Sequence, residues 1–121
     1  MLAIAHIEDC LVDSQILNEI LRDKFEVFHF IDLKKFLKSQ ETFDLIIADL
    51  RLPDSYGFET VKAVKKAHKN TPIIILTGMG GAFLTGDLIQ SLFTNGADNV
   101  VSKDLLADGH LLEILSKAIE P

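Results

Sequence analysis

The chain has 121 residues, 48% hydrophobic and 25% charged, with 18 acids against 12 bases and a formal net charge of -6. That length and composition exclude a disordered segment, and the chain needs no disulfide or metal staple to bury a core. The acidic balance argues against direct nucleic-acid binding, which relies on a basic surface, and leaves divalent cations open as ligands.

In chain order, the first apolar run covers residues 2–7 and ends on Glu8 and Asp9. Those acids stop it long before it could form a signal peptide or span a bilayer, so no membrane segment is expected. With Cys10 as the single cysteine there is no disulfide framework, and the expected setting is the reducing cytoplasm. Val12, Ile16, Leu17, Ile20 and Leu21 then recur at helical spacing. A second strand-like run, residues 25–30, precedes Asp32, which reads as the N-cap of a short helix carrying Leu33, Phe36 and Leu37. The third run, 45–48, ends on Asp49. A helix with Phe58, Val61 and Val64 follows, its Lys62, Lys65, Lys66 and Lys69 read as a solvated face. The fourth run, 73–76, ends on Thr77, and Leu84, Leu88, Ile89 and Leu92 form the next stripe. The fifth, 99–101, leads to Lys103, and Leu111, Leu112, Leu115 and Ile119 complete the pattern.

This alternation predicts a single α/β domain over residues 1–121, a doubly wound parallel sheet of five strands with five helices on both faces. Ligands of such sheets bind beyond the carboxyl ends of the strands. There stand Glu8, Asp9, Asp49, Thr77 and Lys103. Clustered carboxylates repel unless a cation intervenes. An oxygen-rich site with few protein ligands suits Mg²⁺, with Asp9 and Asp49 as direct ligands, Glu8 holding a metal-bound water and a loop carbonyl adding an oxygen. A hydroxyl and an ammonium beside it would line a phosphoryl pocket, making Asp49 a plausible nucleophile. Pro53 fixes the loop after Asp49, and Gly57 permits a turn or a close approach.

The pieces "IED", "DLIIADLRLPDSYG", "PIIILTG" and "GADNVVSK" resemble the receiver domain of bacterial two-component response regulators, over essentially the whole chain. The resemblance implies a flavodoxin-like sheet in the order 2-1-3-4-5. It implies that Asp49 is the phosphoacceptor, with Mg²⁺ as cofactor held by Glu8, Asp9, Asp49 and the carbonyl of Arg51. Thr77 would hydrogen-bond the phosphoryl group and Lys103 would pair with it. The donor would be a phosphohistidine on a sensor histidine kinase or phosphotransfer protein. Self-catalysed phosphotransfer and dephosphorylation are implied as well, in place of a conventional enzyme's turnover. The output partner or domain is not specified, and a homodimer stays open.

Three departures qualify the match. Val100 stands where the family has an aromatic switch residue, and Asp104 replaces a proline normally joined by a cis bond. Because a non-proline cis bond costs about 3–4 kcal/mol, either a trans bond with a reshaped loop or retained strain is expected. The glycine-rich segment 78–86 is longer than the family's usual loop and lacks the lysine and hydroxyl residue of a P-loop. The first two favour the alternative, a phosphorylation-independent pseudo-receiver that binds proteins; the intact set of five residues opposes it. A phosphatase with an aspartyl nucleophile would need an acid at Arg51, and the acidic "EDCLVD" would repel the phosphate of a flavin. Cys10 reads as a small packing residue, His6 and His29 as core or edge residues of strands, and His68 and His110 as helical, with no zinc-type spacing among them.

Overall fold

The computed structural model describes residues 1–78 and 84–119. Its main sheet has five parallel strands in the order β2-β1-β3-β6-β7: β1 is Leu2–Ile7, β2 Phe25–Phe30, β3 Leu45–Asp49, β6 Ile73–Thr77 and β7 Asn99–Ser102. Counted over these long strands, the order is the flavodoxin-like one. The helices are α1 (Leu11–Leu21), α2 (Leu33–Lys38), α3 (Phe58–Ala67), α4 (Gly86–Thr94) and α5 (His110–Ile119).

Strand residues alternate between faces, and each face meets its own helices. Ile46 and Ala48 of β3, with Ile73 and Ile75 of β6, pack on Phe36 of α2, Val61 and Val64 of α3 and Leu92 of α4. Leu45 and Ile47, with Ile74 and Leu76, pack on Leu17 and Leu21 of α1 and Leu111 and Leu115 of α5. This is why the central strands are apolar at every position. A ring cluster of Phe28, Phe30, Phe36 and Phe43, with centroids 5.4 to 6.0 Å apart in contacting pairs, closes one end of the first layer.

The pairing register fixes where the strands end. Ile7 lies beside Ala48, Asp49 beside Leu76 and Thr77 beside Ser102, so the residues that follow β1, β3, β6 and β7 share one rim. Asp32 caps α2 as expected, its Oδ1 accepting from the Lys35 N–H at 2.7 Å.

Several expectations need correction. The loop after Asp49 contains a small antiparallel hairpin, β4 (Arg51–Leu52) with β5 (Ser55–Tyr56). α4 begins at Gly86, capped by the Thr85 hydroxyl, so Leu84 precedes the helix. Lys65 is half-buried: its stem lies against Gly96 and its ammonium donates to the Thr71 carbonyl at 3.3 Å. Cys10 is exposed at the N-cap position of α1, because its side chain projects from the rim rather than into a layer. Residues 79–83 of the glycine-rich segment lie outside the described residues. Among the described residues no helix is long and apolar enough to cross a membrane.

Candidate functional site

The acidic half of the site is positioned by backbone hydrogen bonds. The Glu8 N–H donates to the Phe30 carbonyl at 2.9 Å, continuing the β1–β2 pairing beyond the strand. Glu8 Oε2 accepts from the Cys10 N–H at 3.3 Å, which turns the Glu8 side chain inward, fully buried, while Asp9 stays exposed. Asp49 is the last residue of β3. The following loop is held twice: the Gly57 N–H donates to the Leu50 carbonyl at 3.0 Å, and Asp54 accepts from the Leu33 and Lys34 N–H groups at 3.0 and 2.9 Å. Gly57 adopts φ 61 and ψ -130 as it enters α3, a conformation that favours glycine. Arg51 directs its guanidinium over the Tyr56 ring, 5.9 Å from the centroid.

Carboxylate oxygens of Glu8, Asp9 and Asp49 lie within 4.8 Å of one another. Beside them a pocket of about 190 Å³ is lined by Asp49, Leu50, Arg51, Thr77, Gly78 and Lys103, with Thr77 buried. The Lys103 ammonium is 2.8 Å from Glu8 Oε1 and 3.6 Å from Asp49 Oδ1. Its shortest contact is one the sequence did not suggest: 2.7 Å to Asp13 Oδ2, one turn into α1. Nothing local in the sequence could have paired Asp13 with Lys103; only the juxtaposition of α1 and the end of β7 does so.

Burial pushes the Glu8 carboxyl up to about 7, the Lys103 ammonium opposing and the Asp49 charge adding to the shift. Burial also raises Asp49, again with Lys103 opposing. Burial alone would lower the Lys103 ammonium, but its hydrogen bond to Asp13, its ion pair with Glu8 and the charge of Asp49 outweigh it and raise its pKa. Glu8, Asp13 and Asp49 all stand around the one Lys103 ammonium, so ionising every one of them leaves more negative charge than this lysine neutralises.

A hard divalent cation fits this donor set. The oxygens are close together, and buried Glu8 Oε1, though near the Lys103 ammonium, has no aligned hydrogen bond. Such an all-oxygen triad can coordinate Mg²⁺.

The end of β7 settles the departure at Asp104. Peptide bonds among the described residues are all trans, and residues Lys103–Asp108 form a 3-10 helix whose start is capped by Ser102 Oγ accepting from the Asp104 N–H at 3.2 Å. Val100 packs, partly buried, against the layer that holds Ile73 and Ile75, with no aromatic ring in its place.

A five-stranded doubly wound sheet carrying an acid triad and a lysine at its carboxyl rim defines a class of phosphoryl-accepting signalling domains. The family model described as the response regulator receiver domain matches residues 4–116, and the chain belongs to this family. The BeF3-activated receiver domain of DrrB from Thermotoga maritima is 27% identical with a TM-score of 0.78, covering 96% of this chain and 98% of that one. The receiver domain of the sensor histidine kinase PA1611 from Pseudomonas aeruginosa PAO1, solved with a magnesium ion coordinated in its active site cleft, is 26% identical with a TM-score of 0.79, covering 98% of this chain and 97% of that one. The cell cycle response regulator CtrA of Brucella ovis is 33% identical over 106 residues, 88% of this chain and 41% of CtrA. The chain thus spans well under half the length of the curated relatives it matches, only 14% in the case of LuxO from Vibrio campbellii. It is a phosphoacceptor receiver whose acid cluster suits aspartate phosphorylation and conformational switching, chemistry that such domains catalyse on themselves as partners of histidine kinase and phosphotransfer systems.

Proposed function

We propose that Asp49 accepts the phosphoryl group from a phosphohistidine of a sensor kinase or phosphotransfer protein, and that residues 1–121 act as one receiver domain in the cytoplasm. The observation that carries this reading is the convergence of Glu8, Asp9 and Asp49 within 4.8 Å, with Lys103 beside them. An Asp49 carboxylate oxygen attacks phosphorus, the bond from phosphorus to the imidazole nitrogen breaks, and the electron pair leaves with the imidazole; an acyl phosphate results. Asp9, Asp49 and the Arg51 carbonyl would hold Mg²⁺ directly and Glu8 through water. When bound, the ion supplies positive charge to the phosphoryl oxygens. Thr77 donates its hydroxyl to a phosphoryl oxygen and Lys103 pairs with another. Water attack on phosphorus later returns the carboxylate and inorganic phosphate.

Phosphorylation adds charge and acceptor oxygens to Asp49, whose Oδ1 lies 3.6 Å from the Lys103 ammonium, which now rests on Glu8 and Asp13. Two charge-assisted bonds, at roughly 1.5–3 kcal/mol each, total about 3–6 kcal/mol. Inverting a 1:99 equilibrium takes about 5.5 kcal/mol, which the upper end of this range reaches, so the contacts can switch the output face if nearly all of their energy is absent beforehand. The test is incubation with Mg²⁺ and a small acyl-phosphate donor followed by intact mass measurement. The wild type should gain one phosphoryl group and Asp49→Asn none. A wild type that gains nothing, even from a kinase-bound phosphohistidine, would instead support the phosphorylation-independent binding module.

A further inference from the structure

Lys103 stands between two hollows. One is the phosphoryl pocket, which it lines with Asp49 and Thr77. The other is a groove of about 550 Å³ between α1 and the 3-10 helix, which it lines with Asp13, Ile16, Ile20 and Leu106. Lys103 is the one residue that lines both, while Asp49 belongs to the pocket and Asp13 to the groove. The ammonium lies 2.7 Å from Asp13 Oδ2, its aligned hydrogen bond, and 3.6 Å from Asp49 Oδ1. The charge that would serve the phosphoryl group is thus drawn toward the groove.

Asp13 is a fixed anion. It is the third residue of α1, whose first turn has no side-chain cap and no other acid. Backbone N–H groups left open at a helix start favour an ionised carboxylate beside them. One and two turns on, Leu17 and Leu21 are buried in the layer with Ile4 and Ile47, which holds the helix in place.

Lys103 is the movable partner, a point charge on a flexible stem. That stem already lies against the phosphoryl pocket: a Cβ on Gly78, which lines the pocket, would stand 3.6 Å from Lys103 Cδ. Rotation about the last bonds of the stem moves the ammonium from one hollow to the other. With Glu8 and Asp49 engaged by a divalent ion, Asp13 is the acid left to the lysine, since it has no place in the triad.

We propose that Asp13 is a positioning residue for phosphoryl transfer, one that holds Lys103 in reserve on the groove side and so slows uptake at Asp49. The inference rests on phosphoryl acceptance by Asp49 and adds to it a residue that belongs to neither the acid triad nor the pocket. A phosphoryl group, with about two negative charges against the one of Asp13, wins the lysine, but the resting pair is subtracted from what it gains.

Two measurements on the full chain test this. Nitrogen-15 NMR of the ion-free protein reads the pair itself: the Lys103 ammonium resonance should move in Asp13→Asn, and a resonance left in place would overturn the proposal. The rate of phosphoryl uptake from acetyl phosphate at saturating Mg²⁺, followed by intact mass, reads its effect. Asp13→Asn should react about fivefold faster than wild type, equivalent to about 1 kcal/mol. In a Lys103→Met background the same substitution should leave the rate unchanged, because there is no ammonium left to hold. A gain that survives in Lys103→Met is the general effect of removing a negative charge near an anionic donor, and it overturns the proposal. An unchanged or slower Asp13→Asn beside a reactive wild type overturns the proposal alone; no uptake by either overturns the reading of Asp49 with it. Circular dichroism checks that Lys103→Met is folded, and the NMR measurement does not require that variant.

Discussion

The two halves of the rim are built differently. The half after β1 and β3 is pinned by hydrogen bonds to the main chain: the Glu8 N–H donates to Phe30, the Gly57 N–H to Leu50, and the Asp54 carboxylate accepts from the start of α2. The half after β7 offers one lysine, whose ammonium is placed by the acids around it: 2.7 Å from Asp13, 2.8 Å from Glu8 and 3.6 Å from Asp49. A carboxylate cluster held rigidly keeps its charges close at an electrostatic cost. A cation held only by charge can change partner when a better one appears. The contrast is what a switch requires: one side that stays and one that re-pairs.

Removing the cation is the strongest way to break this contrast. Lys103→Met leaves Glu8 buried without its counter-charge and should cost about 3–5 kcal/mol in urea unfolding at pH 8. Adding Glu8→Gln should recover most of that loss; if the single variant is as stable as wild type, Glu8 does not depend on Lys103.

The next largest effect is that of pH. Glu8 titrates at about 7 in the folded chain against an ordinary 4.5. Between those values the folded chain holds a proton that the unfolded chain has released, so stability is highest below about 4.5 and falls as pH rises through 7. The loss should be roughly 1–3 kcal/mol, and Mg²⁺, which binds the ionised carboxylates, should reverse it above pH 7. Thermal melts across this range with and without Mg²⁺ check both signs.

Gly57→Ala probes the pinned half. A Cβ there would meet only Leu88 Cδ1, at 3.7 Å, so the cost is that of the backbone at φ +61, about 1–2 kcal/mol by denaturant titration. The smallest effect is expected from Asp13→Asn. The pair is partly exposed, so stability should fall by under about 1 kcal/mol. Freed from Asp13, Lys103 should bind a beryllofluoride adduct of Asp49 about fivefold more tightly, equivalent to about 1 kcal/mol. Unchanged or weaker affinity would show that Asp13 does not hold Lys103 back.

The sequence made the pinned half legible and the charge-placed half only in outline. Glu8, Asp9, Asp49, Thr77 and Lys103 each follow an apolar run at short distance, and strict alternation of runs brings such positions to one edge. Strand existence was equally plain, because a strand covered on both faces is apolar throughout. Contacts between distant elements left no local trace: Asp13 with Lys103, Asp54 with α2, and His6 with His29 depend on register and helix placement. Cys10 and Lys65 were misread because small or charged side chains obey local geometry more than composition. The stem of Lys65 lies where Gly96, with φ +122, leaves room.

The hairpin after Asp49 has an optical consequence. The chain has no tryptophan and a single tyrosine, and that tyrosine is Tyr56, under the Arg51 guanidinium on the loop between Asp49 and Gly57. Excited at wavelengths that phenylalanine does not absorb, the unlabelled protein therefore emits from one phenol, covered by the Arg51 that lines the Asp49 pocket. Cation loading or chemistry at Asp49 that disturbs Arg51 can be followed by intrinsic fluorescence, in real time and without a dye.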